Sequence, residues 1–400
     1  MLRIEQPKII NVDENHSRLS CDIYVDNELR TVWFEVEKEY EQYLCTERSD
    51  AFVIGLLSWA MRLNHDIECV APITDELLYN IRTYVIPSLT KYGKTLHAIN
   101  IKANMAPALE TAGGVGTGCS CGVDSFHAIL SNVNSIYPEC RLTHLCLNNV
   151  GSFSNLKIED NLIDTRKKVA KEIADKLGLK VVVTNSNFAD AFIQNHLLTH
   201  TYSSTFAIYC LQKLWKTYFY ASAGIDFTYF QLADNDKYDS AHTELLLLNS
   251  FCHKNLRIYS EGGAKTRIEK TEFIADNELA QEYLHVCLHN THNCGKCIKC
   301  KRTMNTLYAI GKLDKFSKVF DIEYYKKHKD FYFSELYRLH TNGDTMTAPE
   351  YNILKNEIPI KIKIKIKANS LYLMSRHIIG NILRFLKLRK PIVENKPKFM

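Results

Sequence analysis

Two short runs of β-forming residues near the start of the chain predict a hairpin. Residues 21–25 and 31–36 contain Val, Ile, Tyr, Trp and Phe, and the polar residues 26–28 lie between them. β-branched and aromatic residues favour strands, and a short polar link between two such runs favours a tight turn. The pattern therefore predicts two antiparallel strands joined by that turn.

Helical spacing of apolar residues follows at 51–63 and again at 75–92. Pro87 is expected to kink or divide the second helix, because proline cannot donate the backbone hydrogen bond of a helix interior. The apolar run at 97–101 predicts a further strand. Together these features predict an α+β N-terminal domain over residues 1–110, which packs against or covers a substrate site.

From residue 111 onwards, strands and helices are predicted to alternate. Apolar strands at 143–150 and 180–184 flank a helix at 162–177, and Gly178 is a typical helix stop. Such alternation predicts an α/β fold with a doubly wound, mainly parallel sheet. Ligands of these sheets bind beyond the carboxyl ends of the strands. The loops after the strands, including Asn148 and residues 185–187, are therefore expected to converge on one crevice.

The following stretch predicts more of the same domain, which we place at 111–315. Residues 206–223 are aromatic and predicted to be largely helical core, and 227–232 and 256–260 are predicted strands. The polar residues 239–244 are a candidate contact for a non-nucleotide substrate, with a solvated surface turn as the alternative.

The C-terminal extension, residues 316–400, is predicted to be helical and basic. Residues 358–367 alternate Ile and Lys, which favours a strand with one charged face, and 371–388 are amphipathic. This basic end is a candidate for contact with a membrane surface, nucleic acid or a protein partner. The alternative is an extension that packs on its own chain or is poorly ordered.

Composition is that of an ordinary soluble protein, with 46% hydrophobic and 24% charged residues and a formal charge of +5. We expect no signal peptide, because residues 1–8 are followed by polar residues, and no apolar run reaches the roughly 18 residues of a membrane span. We therefore expect a cytoplasmic protein. In a reducing compartment, clustered members of its thirteen cysteines indicate metal binding or catalysis rather than disulfides.

A loop of small residues before a predicted helix, residues 116–125, is the first candidate site. Backbone N–H groups at such a junction can bind phosphate, helped by the helix dipole. Ser120 and Ser125 add hydroxyl groups. Asp124 adds a carboxylate, which beside phosphate implies a divalent cation such as Mg²⁺. A glycine-rich turn with an Asp helix cap is the alternative.

Basic residues after the Gly262–Gly263 pair form a second candidate element. Lys265, Arg267 and Lys270 open a predicted helix, from which a cation can offset charge on a leaving phosphate group. Solvated surface lysines are the alternative.

Four cysteines close together in the sequence predict a metal site. Cys287, Cys294, Cys297 and Cys300 supply four thiolates, which suits a structural, tetrahedral Zn²⁺. Three nearby histidines leave a Cys₃His set open, and an iron–sulfur cluster also takes four thiolates; the histidines are His285, His289 and His292.

The loop resembles the fingerprint of the PP-loop ATP pyrophosphatases, Ser-Gly-Gly-x-Asp-Ser before a helix. It reads Ser120, Cys121, Gly122, Val123, Asp124, Ser125, with Cys121 in place of the first glycine. The resemblance implies a PP-loop (HUP-like) fold and cleavage of ATP between its α- and β-phosphates. It also implies that these six residues hold pyrophosphate with Mg²⁺ on Asp124, that Asn148 lies near the adenosine, and that Asp124, Ser125 and Lys270 act in catalysis. The Walker A pattern is absent, because no Lys follows Gly122.

Together with the four cysteines, the loop is similar to the 7-cyano-7-deazaguanine synthases, or queuosine-precursor synthases, over roughly residues 113–313. That resemblance implies a zinc-containing ligase that adenylates a carboxylate or amide of a small molecule or modified base, for attack by a nitrogen nucleophile. It is also compatible with a homodimer. Cys121, the upstream cysteine spacing and the large flanking extensions depart from the pattern, which favours a related protein with a different acceptor.

Three other functions remain open at this point. In a sulfur-transfer enzyme of the same superfamily, Cys119 or Cys121 would act as a thiol carrier. Reductive chemistry of the adenylyl-sulfate type would need a redox thiol and no ATP turnover. A non-catalytic module would bind nucleotide or nucleic acid through the fold and the basic tail.

Overall fold

The computed structural model describes residues 1–93, 95–152, 161–222 and 239–385. Within these residues the chain divides into two units, residues 1–291 and 292–400. The boundary expected at residue 110 does not divide units, because strands from both sides of it join one sheet.

The first third of unit one supplies eight short strands and three helices. The 3₁₀ turn at Lys38–Tyr43 and the π-helical turn at Ile81–Val85 complete this part. In chain order the elements are β1 (Leu2–Ile4), β2 (Lys8–Asn11), β3 (His16–Val25), β4 (Glu28–Glu37), α1 (Asp50–Leu63), β5 (Ile67–Cys69), β6 (Ile73–Thr74), α2 (Asp75–Asn80), α3 (Ile86–Tyr92), β7 (Ile101–Lys102) and β8 (Met105–Ala106).

The rest of unit one alternates strands and helices, as the sequence predicts. Short 3₁₀ helices lie at Pro138–Cys140 and Ser240–Thr243. The elements are β9 (Gly114–Gly118), α4 (Val123–Asn132), β10 (His144–Asn149), α5 (Leu162–Leu177), β11 (Lys180–Ser186), α6 (Phe188–Ala191), α7 (His196–Cys210), β12 (Trp215–Ala221), α8 (Glu244–Ser250), β13 (Arg257–Glu261), α9 (Arg267–Ala275) and α10 (Glu278–Tyr283).

The regular secondary structure in the described residues of unit two is all helical. After a 3₁₀ turn at Leu313–Phe316, most of its helices follow one another closely. They are α11 (Ile298–Ala309), α12 (Ile322–Lys327), α13 (Lys329–Thr341), α14 (Ala348–Leu354) and α15 (Ile360–Phe385). No helix in the described residues is long and apolar enough to cross a membrane.

Eleven strands form one mixed sheet in the order β13-β12-β9-β10-β11-β4-β3-β1-β5-β7, with β2 paired to β3, and β6 pairs β8 separately. The five strands from β9 to β13 run parallel to one another. The predicted hairpin, β3 and β4, joins this set through an antiparallel pairing of β4 with β11. The fold is therefore α/β with a mostly parallel sheet, as predicted.

The order of the parallel strands creates a switch point beside β9. The chain moves from β9 to β10 and β11 on one side, then crosses back to β12 and β13 on the other. Because such crossovers are right-handed, helices that connect opposite directions lie on opposite faces. The crevice between diverging loops at the carboxyl ends of β9 and β12 is where doubly wound sheets bind ligands.

Several elements match their predicted positions closely. The turn between β3 and β4 holds Asp26 and Asn27 at φ 47° and 77°, as a two-residue hairpin turn requires. Gly178 ends α5 at φ 67°. The helix expected over 75–92 contains a π-helical turn at Ile81–Val85, and Pro87 follows it in the first turn of α3.

Three predicted elements were wrong. In the strand expected at 97–101, only the last residue enters β7. The helix expected over 206–223 ends at Cys210, and the aromatic residues beyond it form β12. The alternating segment 358–367 belongs mostly to α15 rather than to a strand. The strand predicted at 227–232 lies outside the described residues.

Candidate functional site

The loop between β9 and α4 lies at the switch point of the sheet. Gly122 is the N-cap of α4 in extended conformation, and no side chain caps the helix. The Gly122 N–H donates to Ser120 Oγ at 3.4 Å, and Ser125 Oγ donates to the Gly118 carbonyl at 3.0 Å. These contacts hold the loop against the end of β9. The first turn of an α-helix carries N–H groups without partners inside the helix, and such groups can bind an anion.

Cys121 adopts the left-handed backbone conformation that favours glycine. Its φ is 60°, and both Cys119 and Cys121 are only 1% exposed. The two thiols are hydrogen-bonded, which raises the pKa of Cys119 and lowers the pKa of Cys121. The guanidinium of Arg166 also lowers the pKa of Cys121. The backbone at 121 is therefore one that a glycine would adopt, although a buried thiol occupies the position.

Asp124 binds two cations from α9. Arg267 Nη1 lies 2.8 Å from Asp124 Oδ2, and Lys270 Nζ lies 3.4 Å from Asp124 Oδ1. Lys270 is completely buried and also donates to the Ser222 carbonyl at 3.2 Å, directly after β12. A buried ammonium group is tolerated only when it is paired and hydrogen-bonded. Asp124 and Ser222 supply these partners.

The start of α9 explains why these cations point at the loop. Thr266 and Glu269 form a capping box that fixes the first turn of the helix. Arg267 and Lys270 are three residues apart, so they lie on the same face. Of the three basic residues predicted here, the structure brings these two to Asp124 and leaves Lys265 exposed.

Gly262 allows α9 to approach α4 this closely. Its φ is 72°, and a Cβ atom there would lie 2.9 Å from Lys270 Cε and 3.0 Å from His127 Nδ1. A side chain at 262 would therefore displace the buried lysine.

Two further carboxylates, those of Glu244 and Glu261, lie close enough to Lys270 for its charge to lower their pKa. Glu244 Oε1 accepts hydrogen bonds from Ser222 Oγ at 2.6 Å and Ser260 Oγ at 2.7 Å, and the residue is 2% exposed. Burial raises the pKa of Glu244, an effect that Lys270 partly offsets. Glu261, at the end of β13, lies 3.6 Å from His127 Nδ1, and burial lowers the pKa of His127 to about 4.

A second polar chain lies at the end of β12. His200 contacts the Tyr220 hydroxyl through Nδ1 at 2.7 Å and Asp239 Oδ1 through Nε2 at 2.9 Å. Burial opposes ionisation of Asp239, but the bond from His200 and its own N-cap bond lower the pKa of Asp239. With Nε2–H donating to this carboxylate, Nδ1 is the acceptor for the tyrosine hydroxyl. The predicted polar loop at 239–244 is therefore a largely buried turn.

Asn148 directs its side-chain hydrogen bonds to β11 and β12. Its Nδ2 donates to the Tyr218 hydroxyl at 3.3 Å, and its Oδ1 accepts from Thr184 Oγ1 at 3.0 Å. Asn187 bonds to the backbone of β4 instead. The polar residues at the ends of these strands therefore lie at one edge of the sheet. The side chain of Asn187, however, binds β4 of the N-terminal hairpin.

The four predicted cysteines come together. Their sulfur atoms all lie within 4.8 Å of one another, and in the described part of the chain they form the one group of three or more potential metal ligands. Backbone N–H groups point at two of the sulfurs, from Lys296 and Cys297 to Cys294 Sγ and from Cys300 to Cys297 Sγ. This cluster could hold a metal ion such as zinc.

Two contacts connect the segment before the cluster to the β9–α4 loop. Arg166 donates to the Cys287 carbonyl at 2.7 Å and to the Ser120 carbonyl at 3.5 Å. The His285 N–H donates to the Cys121 carbonyl at 2.8 Å. Within unit one, residues 285–287 are therefore held against the β9–α4 loop.

Sequence reasoning missed several of these residues. Arg166 lies among other basic residues of a predicted helix, and only its burial distinguishes it. His200 and Tyr220 belong to no sequence motif, because they are twenty residues apart and only the fold brings them together. No family model, curated protein or solved structure matches this chain.

Proposed function

We propose that this protein is an ATP-dependent adenylating enzyme of the PP-loop type. It would convert ATP to AMP and pyrophosphate while activating a carboxylate or amide oxygen of a small molecule or base, which a nitrogen nucleophile then attacks. The single observation that carries the proposal is the convergence of Arg267 and Lys270 on Asp124 at the start of α4.

This arrangement suits a polyanion. The helix start, the two cations and the hydroxyl of Ser120 lie at the switch point, where such sheets bind nucleotides. The left-handed backbone at Cys121 also supports the resemblance, since the family has glycine there. We assign Ser120, Cys121, Gly122, Val123 and Ser125 to the pyrophosphate portion of ATP. Asn148 is assigned to the adenosine side, where its amide lies at the end of β10.

The residues at the loop also fit a magnesium ion. Asp124 is a hard oxygen ligand, and its ion pairs with Arg267 and Lys270 hold the carboxylate at the start of α4. When bound, Mg²⁺ would neutralise charge on the phosphates. Arg267 would stabilise the leaving pyrophosphate, and the buried Lys270 would hold Asp124 in place, since little covalent chemistry is required of the protein in phosphoryl transfer.

The carboxylates of Glu244 and Glu261 and the hydrogen-bonded residues Tyr220, His200 and Asp239 define the rest of the proposed site. They lie at the ends of β12 and β13, beside Lys270, where the acceptor would have to reach the α-phosphate. Burial raises the pKa of Tyr220, so its hydroxyl stays protonated and donates to His200, which Asp239 orients. We assign these three residues to positioning the acceptor.

For the cysteine cluster we propose a structural Zn²⁺. A Zn–S distance of about 2.3 Å places the sulfurs of a tetrahedral site roughly 3.8 Å apart, which the cluster accommodates. Cys287, Cys294, Cys297 and Cys300 would be the ligands. An iron–sulfur cluster uses the same ligands, and metal analysis distinguishes the two.

Burial of both loop cysteines favours adenylation over sulfur transfer. A thiol carrier has to reach its substrate, whereas Cys119 and Cys121 are each 1% exposed. A module that only binds nucleotide or nucleic acid would form no product. Analysis of the reaction products therefore distinguishes adenylation from the two alternatives.

The test is product analysis with the purified protein, Mg·ATP and a panel of carboxylated small molecules and bases, with ammonia as nucleophile. We expect AMP and pyrophosphate in equal amounts and dependent on the acceptor. ADP and phosphate, or ATP left intact with every acceptor while it binds, would contradict the proposal.

A further inference from the structure

The last described helix, α15, uses one of its faces to pack on unit two. Ile362 is 5% exposed and lies in an apolar cluster with Phe333 and Leu336 of α13 and Leu354 of α14, and Ile366 packs against the same cluster. This face explains how the helix is held on its own unit.

A different face of α15 is apolar yet exposed. Ile360, Ile364 and Leu371 are 72%, 62% and 67% exposed. Spacings of four and seven residues place them on one side of an α-helix. The sequence continues the same spacing with isoleucines at 378 and 382. A row of large apolar side chains exposed on a helix is characteristic of an interaction surface.

Lysines border this exposed row on both sides. At 100° per residue, Lys361 and Lys365 fall on one flank, and Lys363 and Lys367 on the other. Residues 358–393 contain nine Lys and Arg and no Asp or Glu. Since the whole chain has a net charge of +5, the remainder carries −4. The positive charge of the protein is therefore concentrated on this helix and the residues that follow it.

We propose that α15 docks on the surface of a lipid bilayer rich in anionic lipids. The exposed row Ile360, Ile364 and Leu371 would lie at the boundary between headgroups and acyl chains, and the flanking lysines would contact lipid phosphates. Charge complementarity selects an anionic partner. The apolar row favours a bilayer over nucleic acid, because phosphate contacts alone would leave these side chains in water. In this arrangement the axis of α15 would lie parallel to the bilayer surface.

The experiment is flotation of the full-length protein with vesicles of pure phosphatidylcholine and with vesicles containing about one third phosphatidylglycerol. We expect binding to the anionic vesicles only, weakened by raised salt because surface charges are screened. Equal binding to neutral vesicles, or binding to neither, would overturn the proposal.

Two variant pairs separate the apolar and charged contributions. Ile364→Glu should weaken binding to anionic vesicles at least tenfold. Ile353→Glu on α14, at a site 51% exposed, is the matched control and should bind normally. Lys365→Glu/Lys367→Glu should weaken binding at least tenfold. The control Lys318→Glu/Lys327→Glu changes the net charge equally at exposed positions outside α15 and should have a much smaller effect.

Two other partners have distinct signatures. Tight binding of a single-stranded oligonucleotide that Ile364→Glu leaves unchanged, with no vesicle binding, would identify nucleic acid and overturn the proposal. Self-association that Ile364→Glu abolishes, again without vesicle binding, would identify a second copy of the chain and also overturn it. Thermal unfolding of each variant checks that unit two is intact, since all substituted side chains are exposed or half-buried.

Discussion

A single backbone angle at residue 121 decides which side chains the loop accepts. The PP-loop fingerprint that this loop resembles has glycine at this place, and Cys121 keeps the left-handed φ of 60° at a cost in backbone strain. A β-branched side chain adopts this conformation least readily.

Cys121→Gly should therefore retain AMP formation within about threefold, because the backbone is unchanged and strain is relieved. Cys121→Val should lose most of the activity, since its side chain opposes the required φ. Steady-state AMP production by the two variants checks this. Loss of activity in Cys121→Gly, with the fold intact, would instead favour sulfur transfer.

The buried pair of Asp124 and Lys270 makes a second residue-scale prediction. Asp124→Asn leaves the ammonium of Lys270 buried without its counter-ion, so the free energy of unfolding should fall by about 3 kcal/mol. In Asp124→Asn/Lys270→Met the second substitution should restore part of that loss. Urea unfolding of the single and double variants measures the coupling, and strictly additive losses would contradict it.

At the scale of elements, Arg166 of α5 connects the loop with the segment that carries Cys287. We expect it to position the loop without contacting the reacting atoms. Arg166→Met should raise KM for ATP about tenfold with a smaller change in kcat, because the loop is misplaced rather than deprived of a catalytic group. Arg141→Met, at an exposed arginine after α4, is the control. A fall in kcat of about tenfold with KM for ATP unchanged would contradict a positioning role.

Elements with a local sequence signal are the ones that could be predicted from the sequence. The β9–α4 loop, α5 and the four cysteines carry local signals, namely glycine and small residues, helical periodicity and ligand spacing, and the structure places each as expected. Residues 358–367 misled because Ile recurs at every second position, so that Ile358, Ile362 and Ile366 are also spaced four residues apart. Alternation therefore fits a helix face equally well, and tertiary packing on α13 decides for the helix.

Across the whole of unit one, buried histidines link stability to pH. Burial lowers the pKa of His127, His144 and His253 to about 4, well below the ordinary value near 6.5. The unfolded chain therefore binds protons more readily than the folded chain, so stability present above pH 6.5 is lost as the pH falls towards 4. Each histidine contributes up to about 3 kcal/mol to this loss.

Urea unfolding between pH 7 and pH 4.5 should show that decline, and His253→Gln should reduce its slope. A free energy of unfolding independent of pH in this range would contradict the burial of these rings. The long-range contacts responsible, such as His144 against Trp215, join residues distant in sequence, which is why no local pattern predicts them.

The most direct test of the central claim is equilibrium binding of a non-hydrolysable α,β-methylene analogue of ATP with Mg²⁺. The account predicts that the wild-type protein binds it, that Lys270→Met weakens binding at least tenfold, and that Lys265→Met, at the exposed neighbouring lysine, binds normally. An analogue that the wild-type protein does not bind, or that all three bind equally, would contradict a pyrophosphate site at the β9–α4 loop.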